Sequence, residues 1–169
     1  MEANKNLFFI GFMGCGKSTM ARIISEKTGA ELVEMDETIE AEAGMSINEI
    51  FEKHGEQYFR DLESKLVERI MKKGGAVVSC GGGAILRQEN VLNMKKNGRV
   101  VYFAASAETI FERVRFSTNR PLLNGNMNVE YIAQLMGKRL ALYESAADVT
   151  ICVDGKTKQQ VVKELMQIY

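Results

Sequence analysis

The chain has 169 residues, with 22 basic and 22 acidic side chains, so its formal net charge is zero. This length predicts a single domain spanning residues 1–169, and 46% apolar with 26% charged residues excludes a disordered chain. Because general nucleic-acid and acidic-membrane binders carry a basic excess, neither kind of partner is expected.

The cysteines and the N-terminus bear on where the protein works. Cys15, Cys80 and Cys152 form no C-x-x-C pair, and an odd, scattered set does not predict a disulfide framework. The first apolar run, residues 7–10, is too short for a signal peptide or a membrane span. We therefore expect a cytoplasmic protein. We also expect it to act as a monomer.

Short apolar runs alternate with longer segments of helical periodicity, which predicts an α/β fold with a parallel sheet. The apolar runs predict five strands, at 7–10, 31–35, 76–80, 99–104 and 149–153. The periodic segments predict helices at 18–27, 37–43, 47–53, 56–73, 88–96, 107–115, 129–145 and 157–168, and a polar loop at 116–128. In such sheets ligands bind beyond the carboxyl ends of the strands, so the site is expected there.

The first predicted strand runs into a glycine-rich segment. Its sequence is Gly11-Phe12-Met13-Gly14-Cys15-Gly16-Lys17-Ser18, which fits G-x-x-x-x-G-K-[ST] at every fixed position. Such a loop turns backbone N–H groups around a phosphate, at the positive end of the next helix. We expect Lys17 to reach the β- and γ-phosphates and the Ser18 hydroxyl to bind Mg²⁺. The alternative is an ordinary glycine-rich turn.

The third predicted strand lacks the signature of a signalling GTPase. The chain has Ser79-Cys80-Gly81-Gly82-Gly83 where a GTPase has D-x-x-G, and no N-K-x-D occurs anywhere. Three successive glycines predict that another group approaches the backbone closely. The alternative is a flexible turn.

Two residues are candidates for contacts with the phosphate acceptor. Asp36 follows the second predicted strand and begins a helix, as either its N-cap or the acceptor of a substrate proton. Arg139 falls on the apolar face of the predicted helix 129–145, between Leu135 and Ile132 on a helical wheel. A guanidinium there needs an anionic partner, either a structural salt bridge or a ligand carboxylate or phosphate.

Three further side chains have open assignments. Arg60, one step around its helix from Phe59, is either solvated or in contact with a ligand. Arg120, in the polar loop, predicts a lid over the nucleotide or a plain surface charge. His54, at a helix end, is interpreted as a C-terminal cap and not a catalyst.

Together these segments resemble the shikimate kinases, within the nucleoside-monophosphate-kinase-like group of P-loop proteins. The resemblance covers essentially the whole chain and rests on spaced motifs at Gly11–Thr19, Met35-Asp36, Phe59–Glu63, Gly81–Gly83, Asn119–Leu123 and Lys138–Tyr143. It implies five parallel strands in the order 2-3-1-4-5, a lid at about 116–128 and substrate-binding helices at about 37–73. The implied reaction transfers a phosphoryl group from ATP to the 3-hydroxyl of shikimate, in chorismate and aromatic amino-acid biosynthesis, with Mg²⁺ as cofactor.

The resemblance also implies residue roles. Lys17, Asp36 and Arg120 would be catalytic, and Ser18 would bind the metal. ATP would be bound by Gly14, Cys15, Gly16, Lys17, Ser18, Thr19 and Arg120. Shikimate would be bound at its ring hydroxyls by Asp36, at its carboxylate by Arg60 and Arg139, by the Gly82 backbone, and in a ring pocket lined by Phe51 and Phe59. Ser79 would lie near the water shell of the metal.

The chain departs from the family pattern at two places. The family often carries D-x-D where this chain has Glu34-Met35-Asp36, so Glu34 would reach Mg²⁺ through water with a longer side chain. The segment Asp154-Gly155-Lys156 lacks the arginines of some relatives, and no base contact is assigned to it.

Two other functions stay open at this point. A kinase for gluconate or a nucleoside monophosphate would need a phosphate or base site in place of the two-arginine carboxylate clamp. A non-enzymatic nucleotide-dependent switch would bind nucleotide without ADP release that depends on shikimate.

Overall fold

The computed structural model describes residues 5–117, 123 and 125–169. Its strands form one sheet in the order β2-β3-β1-β4-β5, and every neighbouring pair is parallel. The strands are β1 (Asn6–Ile10), β2 (Glu31–Glu34), β3 (Ala76–Ser79), β4 (Gly98–Ala104) and β5 (Val149–Cys152). The predicted number and order of strands are confirmed.

Helices cover both faces of this sheet, as expected for parallel strands joined by crossovers. They are α1 (Lys17–Thr28), α2 (Met35–Ala43), α3 (Ile47–Lys73), α4 (Gln88–Lys96), α5 (Ala107–Val114), α6 (Val129–Gly137), α7 (Leu140–Ala146) and α8 (Lys158–Ile168), with a 3₁₀ turn at Ala84–Leu86. In the part of the chain that the structure describes, no helix combines the length and apolar character needed to cross a bilayer.

The core is split into two clusters by the central strand β1, which is buried on both faces. Phe8 and Ile10 pack in one cluster, and Leu7 and Phe9 in the other, because successive strand residues point to opposite faces. The continuous apolar run that predicts this strand follows from that double burial.

Helix α3 is interrupted where the sequence predicts a gap between two helices. Gly55 has φ 82° and ψ 169°, outside the helical region, and a positive φ is accessible to glycine at little cost. His54 ends the first segment, with its ring centroid 4.7 Å from that of Tyr58. The break at Gly55 allows the two segments of α3 to run in different directions.

The prediction of one helix over 129–145 is wrong. Helix α6 ends at Gly137 and α7 begins at Leu140. Ile132 of α6 packs in the cluster with Phe9, whereas Tyr143 of α7 packs in the cluster with Phe8. The two helices therefore cover opposite faces of the sheet, which one straight helix cannot do.

This break also changes the wheel on which the prediction for 129–145 depended. Leu140, which follows Arg139 in the segment predicted as one helix, is 45% exposed. Arg139 lies between the two helices, with φ −116° and ψ −10° at the start of α7. It is half-buried because the chain passes from one face of the sheet to the other at this residue.

The junction of β2 and α2 also differs from the prediction. The strand ends at Glu34 and the helix begins at Met35, two residues earlier than predicted. Glu34 occupies the N-cap position, and its side chain makes no capping hydrogen bond. Asp36 lies in the first helical turn, so the interpretation of Asp36 as the N-cap is wrong.

Candidate active site

The phosphate loop connects β1 to α1 with a backbone that requires glycine. Gly14 has φ 77° and Gly16 has φ 101°, and Gly16 immediately precedes α1. A Cβ on Gly14 would lie 2.6 Å from a methyl carbon of Val114. The loop therefore reaches the start of α1 in the conformation that the motif predicts, with the amino end of the helix at the carboxyl edge of the sheet.

Lys17 is buried and bonded to its own loop. Its Nζ donates to the carbonyl oxygens of Gly11, at 2.8 Å, and Phe12, at 3.0 Å, and lies 3.7 Å from Cys15 Sγ. The ammonium is thereby held over the loop that would surround a phosphate. A phosphate there can compete for the same ammonium at short range.

Side-chain oxygen atoms that could bind a metal lie close together beside the start of α1. Ser18 Oγ donates to Glu34 Oε2 at 2.8 Å and lies 3.1 Å from Ser79 Oγ. Among the described residues Glu34 Oε1 is buried without a hydrogen-bond partner, and it lies 3.8 Å from Arg22 Nη2. A hydroxyl and a carboxylate with one orphaned oxygen fit Mg²⁺, which prefers oxygen ligands and keeps several waters.

Two carboxylates meet over Gly81. A Cβ on Gly81 would lie 2.7 Å from Asp36 Oδ1 and 2.9 Å from Glu63 Oε1, so only glycine leaves room for both groups. Burial among protein atoms raises the pKa of Asp36, although its side chain is open to water in the cavity, and the Lys17 ammonium opposes the rise. Burial likewise raises the pKa of Glu63, against the opposing effect of Arg60. In the part of the chain that the structure describes, Glu63 Oε1 has no hydrogen-bond partner.

Arg60 is not a solvated surface arginine. Its side chain is only 12% exposed, and Nη1 donates to Glu63 Oε2 at 2.6 Å. Its Nη2 donates to Glu56 Oε1 at 3.1 Å. The guanidinium also lies against Gly83, where a Cβ would lie 2.6 Å from Arg60 Cζ. These contacts contradict the surface alternative and place Arg60 beside the glycine loop, Gly81–Gly83.

Arg139 reaches the same glycine loop from the α6–α7 junction. A Cβ on Gly82 would lie 3.6 Å from Arg139 Nη1 and 3.7 Å from the Tyr143 hydroxyl. Among the described residues no carboxylate forms an ion pair with Arg139. This contradicts the structural salt bridge as its explanation. The guanidinium instead interacts with the Tyr143 hydroxyl and lies near Glu63, and its charge opposes the rise in the pKa of both groups.

Phe51 and Phe59 pack against each other on the two segments of α3. Their ring centroids are 5.1 Å apart, and Arg60 Cζ lies 5.2 Å from the centroid of the Phe59 ring. Phe59 is buried in the core and Phe51 is half-buried. The two rings therefore lie beside Arg60.

A cavity of about 630 Å³ opens at the carboxyl edge of the sheet, and the predicted carboxylate and ring contacts Arg60, Arg139, Phe51 and Phe59 are not among the residues that line it. It is lined by the predicted phosphate-loop residues Gly14, Cys15, Gly16, Lys17, Ser18 and Thr19, together with Glu34, Asp36, Ser79 and Gly82. The cavity thus connects the phosphate loop to Asp36 and the glycine loop, and its volume is typical of a small-molecule site.

The predictions gave no role to Arg113 or Glu63, and they assigned no base contact to the segment that contains Lys156. Arg113 lines the cavity, and its Nη1 donates to the Cys15 carbonyl at 3.0 Å. Lys156 also lines the cavity, and its Nζ forms an ion pair with Glu164 at 2.7 Å. Glu63 was also missed, although its position three residues after Arg60 on a helix predicts an ion pair. Arg120 and most of its motif lie outside the described residues.

Comparison with known proteins agrees with this geometry. The family model described as shikimate kinase matches residues 13–169. A shikimate kinase of Thermodesulfovibrio yellowstonii is 42% identical over 165 residues, which is 98% of this chain and 95% of the relative. One from a Sulfurihydrogenibium species is 43% identical over 162 residues, covering 96% of each chain.

Solved structures show the same relationship. The shikimate kinase of Acinetobacter baumannii, solved in complex with shikimate, superposes with a TM-score of 0.90 at 32% identity and covers 99% of this chain and 93% of its own. A thymidylate kinase of Candida albicans, at 15% identity and a TM-score of 0.62, shares the fold alone; it covers 98% of this chain and 91% of its own. The chain belongs to the shikimate kinase family.

Proposed function

We propose that this shikimate kinase transfers the γ-phosphoryl group of ATP to the 3-hydroxyl of shikimate at the cavity between the phosphate loop and the glycine loop. The observation that carries the proposal is the continuity of this cavity from Lys17 to Asp36 and Gly82. Phosphate donor and acceptor can then lie in line. Shikimate as the acceptor agrees with the membership of the chain in the shikimate kinase family. It is also compatible with the positions of Asp36 and Gly82 in the cavity.

On the nucleotide side, the loop supplies backbone donors and one mobile charge. The N–H groups at the start of α1 and the helix dipole favour the phosphates of ATP. Lys17 Nζ donates hydrogen bonds to the Gly11 and Phe12 carbonyls. When ATP binds, it would donate instead to the β- and γ-phosphates. The ammonium would then stabilise the negative charge on the oxygens of the γ-phosphoryl group and of the departing ADP. Arg120 would contact the same phosphates, a role that the motif Asn119–Leu123 implies by its resemblance to the family.

Ser18 and Glu34 would hold Mg²⁺, with Ser79 beside the water shell. The support is the orphaned Glu34 Oε1 next to the Ser18 hydroxyl. When bound, the metal neutralises charge on the β- and γ-phosphate oxygens. Glu34→Gln is expected to reduce, by about tenfold, the gain in ADP affinity that Mg²⁺ produces, and to leave ADP affinity without metal unchanged. Calorimetry of ADP binding with and without Mg²⁺ measures both affinities.

On the acceptor side, Asp36 would orient the 3-hydroxyl and take its proton. As the acceptor oxygen bonds to the γ-phosphorus, the bond to the β–γ bridging oxygen breaks, and the proton passes to Asp36. The raised pKa of Asp36, caused by burial, makes it a better proton acceptor than an ordinary aspartate. The backbone of Gly82, which lines the cavity, would contact the same end of the substrate.

Arg139 would be the main anchor for the shikimate carboxylate. It has no ion pair in the described part of the chain, whereas Arg60 is already bonded to Glu63 and Glu56. Arg60 would therefore share its guanidinium between Glu63 and the substrate, next to the Phe51 and Phe59 rings. We further propose that the protein acts in the cytoplasm as a monomer, without nucleic-acid or membrane partners.

A coupled ADP-release assay tests this function. ATP is expected to give rapid ADP release with shikimate, and only slow release with gluconate, AMP or no acceptor. Lys17→Met provides the control for contaminating kinases, because it removes the ammonium and keeps the length of the side chain. Equal release with and without shikimate would contradict the proposed acceptor, and preference for AMP or gluconate would reassign it.

A further inference from the structure

The three carbonyl groups of the glycine loop are each held by a hydrogen bond. Gly81 O accepts from Ala84 N at 3.1 Å and Gly83 O from Leu86 N at 3.0 Å, which are local bonds of the 3₁₀ turn. Gly82 O instead accepts from the Tyr143 hydroxyl at 2.6 Å, across 61 positions of sequence. The middle carbonyl therefore depends on a distant side chain.

The N–H groups of the same loop are differently placed. Those of Gly81, Gly82 and Gly83 have no acceptor among the described residues. A trans peptide is planar, with its N–H and C=O pointing in opposite directions. Holding the Gly82 carbonyl thus fixes the Gly82–Gly83 peptide and directs the Gly83 N–H away from Tyr143. Successive glycines need such a restraint because their backbone is otherwise free.

Tyr143 is itself rigid. It is 2% exposed, and its ring stacks on Tyr102 with the centroids 5.2 Å apart and the planes at 11°. Burial raises the pKa of Tyr143 to about 12, so the hydroxyl remains protonated and donates its hydrogen at neutral pH.

Tyr143 also lies one helical turn beyond Arg139. Its N–H donates to the Arg139 carbonyl at 3.0 Å, and both side chains reach Gly82 within 3.6–3.7 Å of where a Cβ would lie. One short helix therefore carries the candidate carboxylate anchor and the restraint on the glycine loop.

We propose that Tyr143 is a positioning residue, whose hydroxyl fixes the Gly82–Gly83 peptide relative to Arg139. The glycine loop and Asp36 act at the hydroxyl end of the substrate, and Arg139 at its carboxylate end. Tyr143 sets the spacing between those two ends without touching the substrate. This inference rests on the proposed function for the roles of Gly82 and Arg139, but the hydrogen bond itself does not.

Tyr143→Phe tests the proposal against Tyr102→Phe as a matched control. Both changes remove one tyrosine hydroxyl from the same stacked pair, but the structure gives the Tyr102 hydroxyl no hydrogen bond among the described residues. Tyr143→Phe is expected to lower kcat/KM for shikimate about tenfold, the effect of one lost hydrogen bond. KM for ATP is expected to stay within about twofold, and Tyr102→Phe to behave as wild type.

Amide signals of Gly82 and Gly83 in nuclear magnetic resonance provide a second measurement, independent of turnover. They are expected to shift or broaden in Tyr143→Phe and to stay unchanged in Tyr102→Phe. Unchanged amides, unchanged kcat/KM, or equal effects of both substitutions would overturn the proposal and leave Tyr143 as a packing residue. Absence of shikimate-dependent ADP release in the wild type would instead contradict the proposed function, with the amide signals still deciding the role of the hydroxyl.

Discussion

The two sides of the candidate site hold their charges in different ways. In the phosphate loop, the Lys17 ammonium is bonded to two carbonyl groups of the same loop. On the acceptor side, Glu63 Oε1 is buried without a partner, and Arg139 has no ion pair among the described residues. The first arrangement is complete within one segment, whereas the second is incomplete until a ligand supplies its missing contacts.

This difference follows from how each side is assembled. The phosphate loop is one continuous turn from β1 into α1, so its groups can satisfy each other locally. The acceptor side takes Asp36 from α2, Glu63 from α3, the glycine loop from beyond β3, and Arg139 from the α6–α7 junction. Unsatisfied buried groups are uncommon in folded proteins, and two of the three such side-chain atoms in the described residues, Glu34 Oε1 and Glu63 Oε1, lie in the candidate site, which indicates a binding function.

The largest expected effect comes from Lys17→Met. Removing the ammonium is expected to lower kcat by about a thousandfold or more, because its charge acts on the transferring phosphoryl group. It also leaves two loop carbonyls without their charged donor, at a cost of about 1–3 kcal/mol in the free energy of unfolding. Lys27→Met, at the exposed end of the same helix, is the control. Wild-type ADP release from Lys17→Met would contradict the assignment.

Asp36→Asn tests the opposite side and is expected to lower kcat by about 10²–10⁴-fold, the usual contribution of a general base. Because burial raises the folded-state pKa of Asp36, the ionised carboxylate destabilises the native state above that pKa. The variant is therefore expected to unfold at an equal or higher temperature at neutral pH.

The pH dependence of stability gives this prediction a sign that can be checked. The advantage of Asp36→Asn is expected to be full above the folded-state pKa, to shrink as the pH falls through it, and to vanish below the ordinary value of 3.8. Thermal unfolding of both proteins between about pH 3 and pH 8 measures it. A variant that is destabilised at neutral pH and keeps its turnover would show that Asp36 is structural.

Arg139→Ala is expected to weaken shikimate binding by about 10- to 100-fold, since a charge-assisted hydrogen bond contributes about 1.5–3 kcal/mol. ADP affinity should be unchanged, because nothing in the phosphate loop contacts Arg139. Lys138→Ala, at the preceding exposed position, is the control, and calorimetry of both ligands is the measurement. If only the melting temperature falls, the guanidinium has a structural role.

How much of this could be predicted depends on the range of the interactions. The phosphate loop is specified by eight consecutive residues, and the fold class by local periodicity, so both could be predicted from sequence. The contact of Asp36 and Glu63 over Gly81 joins three elements, and no local pattern reports it. The three successive glycines predicted a close approach there, with a flexible turn as the alternative, but not which side chains make it.

Arg139 shows a useful prediction from an incorrect premise. The helical wheel put it on a buried face of one helix, but the segment is two helices on opposite faces of the sheet. Arg139 is half-buried at the junction of these two helices. The prediction that Arg139 needs an anionic partner did not depend on a continuous helix, because it follows from the partial burial of its guanidinium.

The smallest effect is expected from Cys15→Ala, within the phosphate loop itself. Cys15 is 1% exposed, and its Sγ lies 3.7 Å from Lys17 Nζ. Because such a loop holds phosphate through backbone N–H groups, kcat is expected to stay within about twofold. Loss of the buried sulfur should cost about 1 kcal/mol in the free energy of unfolding.

Cys152→Ala, at an exposed cysteine, is the matched control for Cys15→Ala and is expected to change neither quantity. Chemical unfolding and coupled ADP release measure both variants. A fall in kcat above tenfold with unchanged stability would mean that the thiol acts on Lys17 or on the nucleotide. The phosphate loop would then depend on a side chain from a variable position of its motif, and the contrast between a self-contained loop and an incomplete acceptor side would weaken.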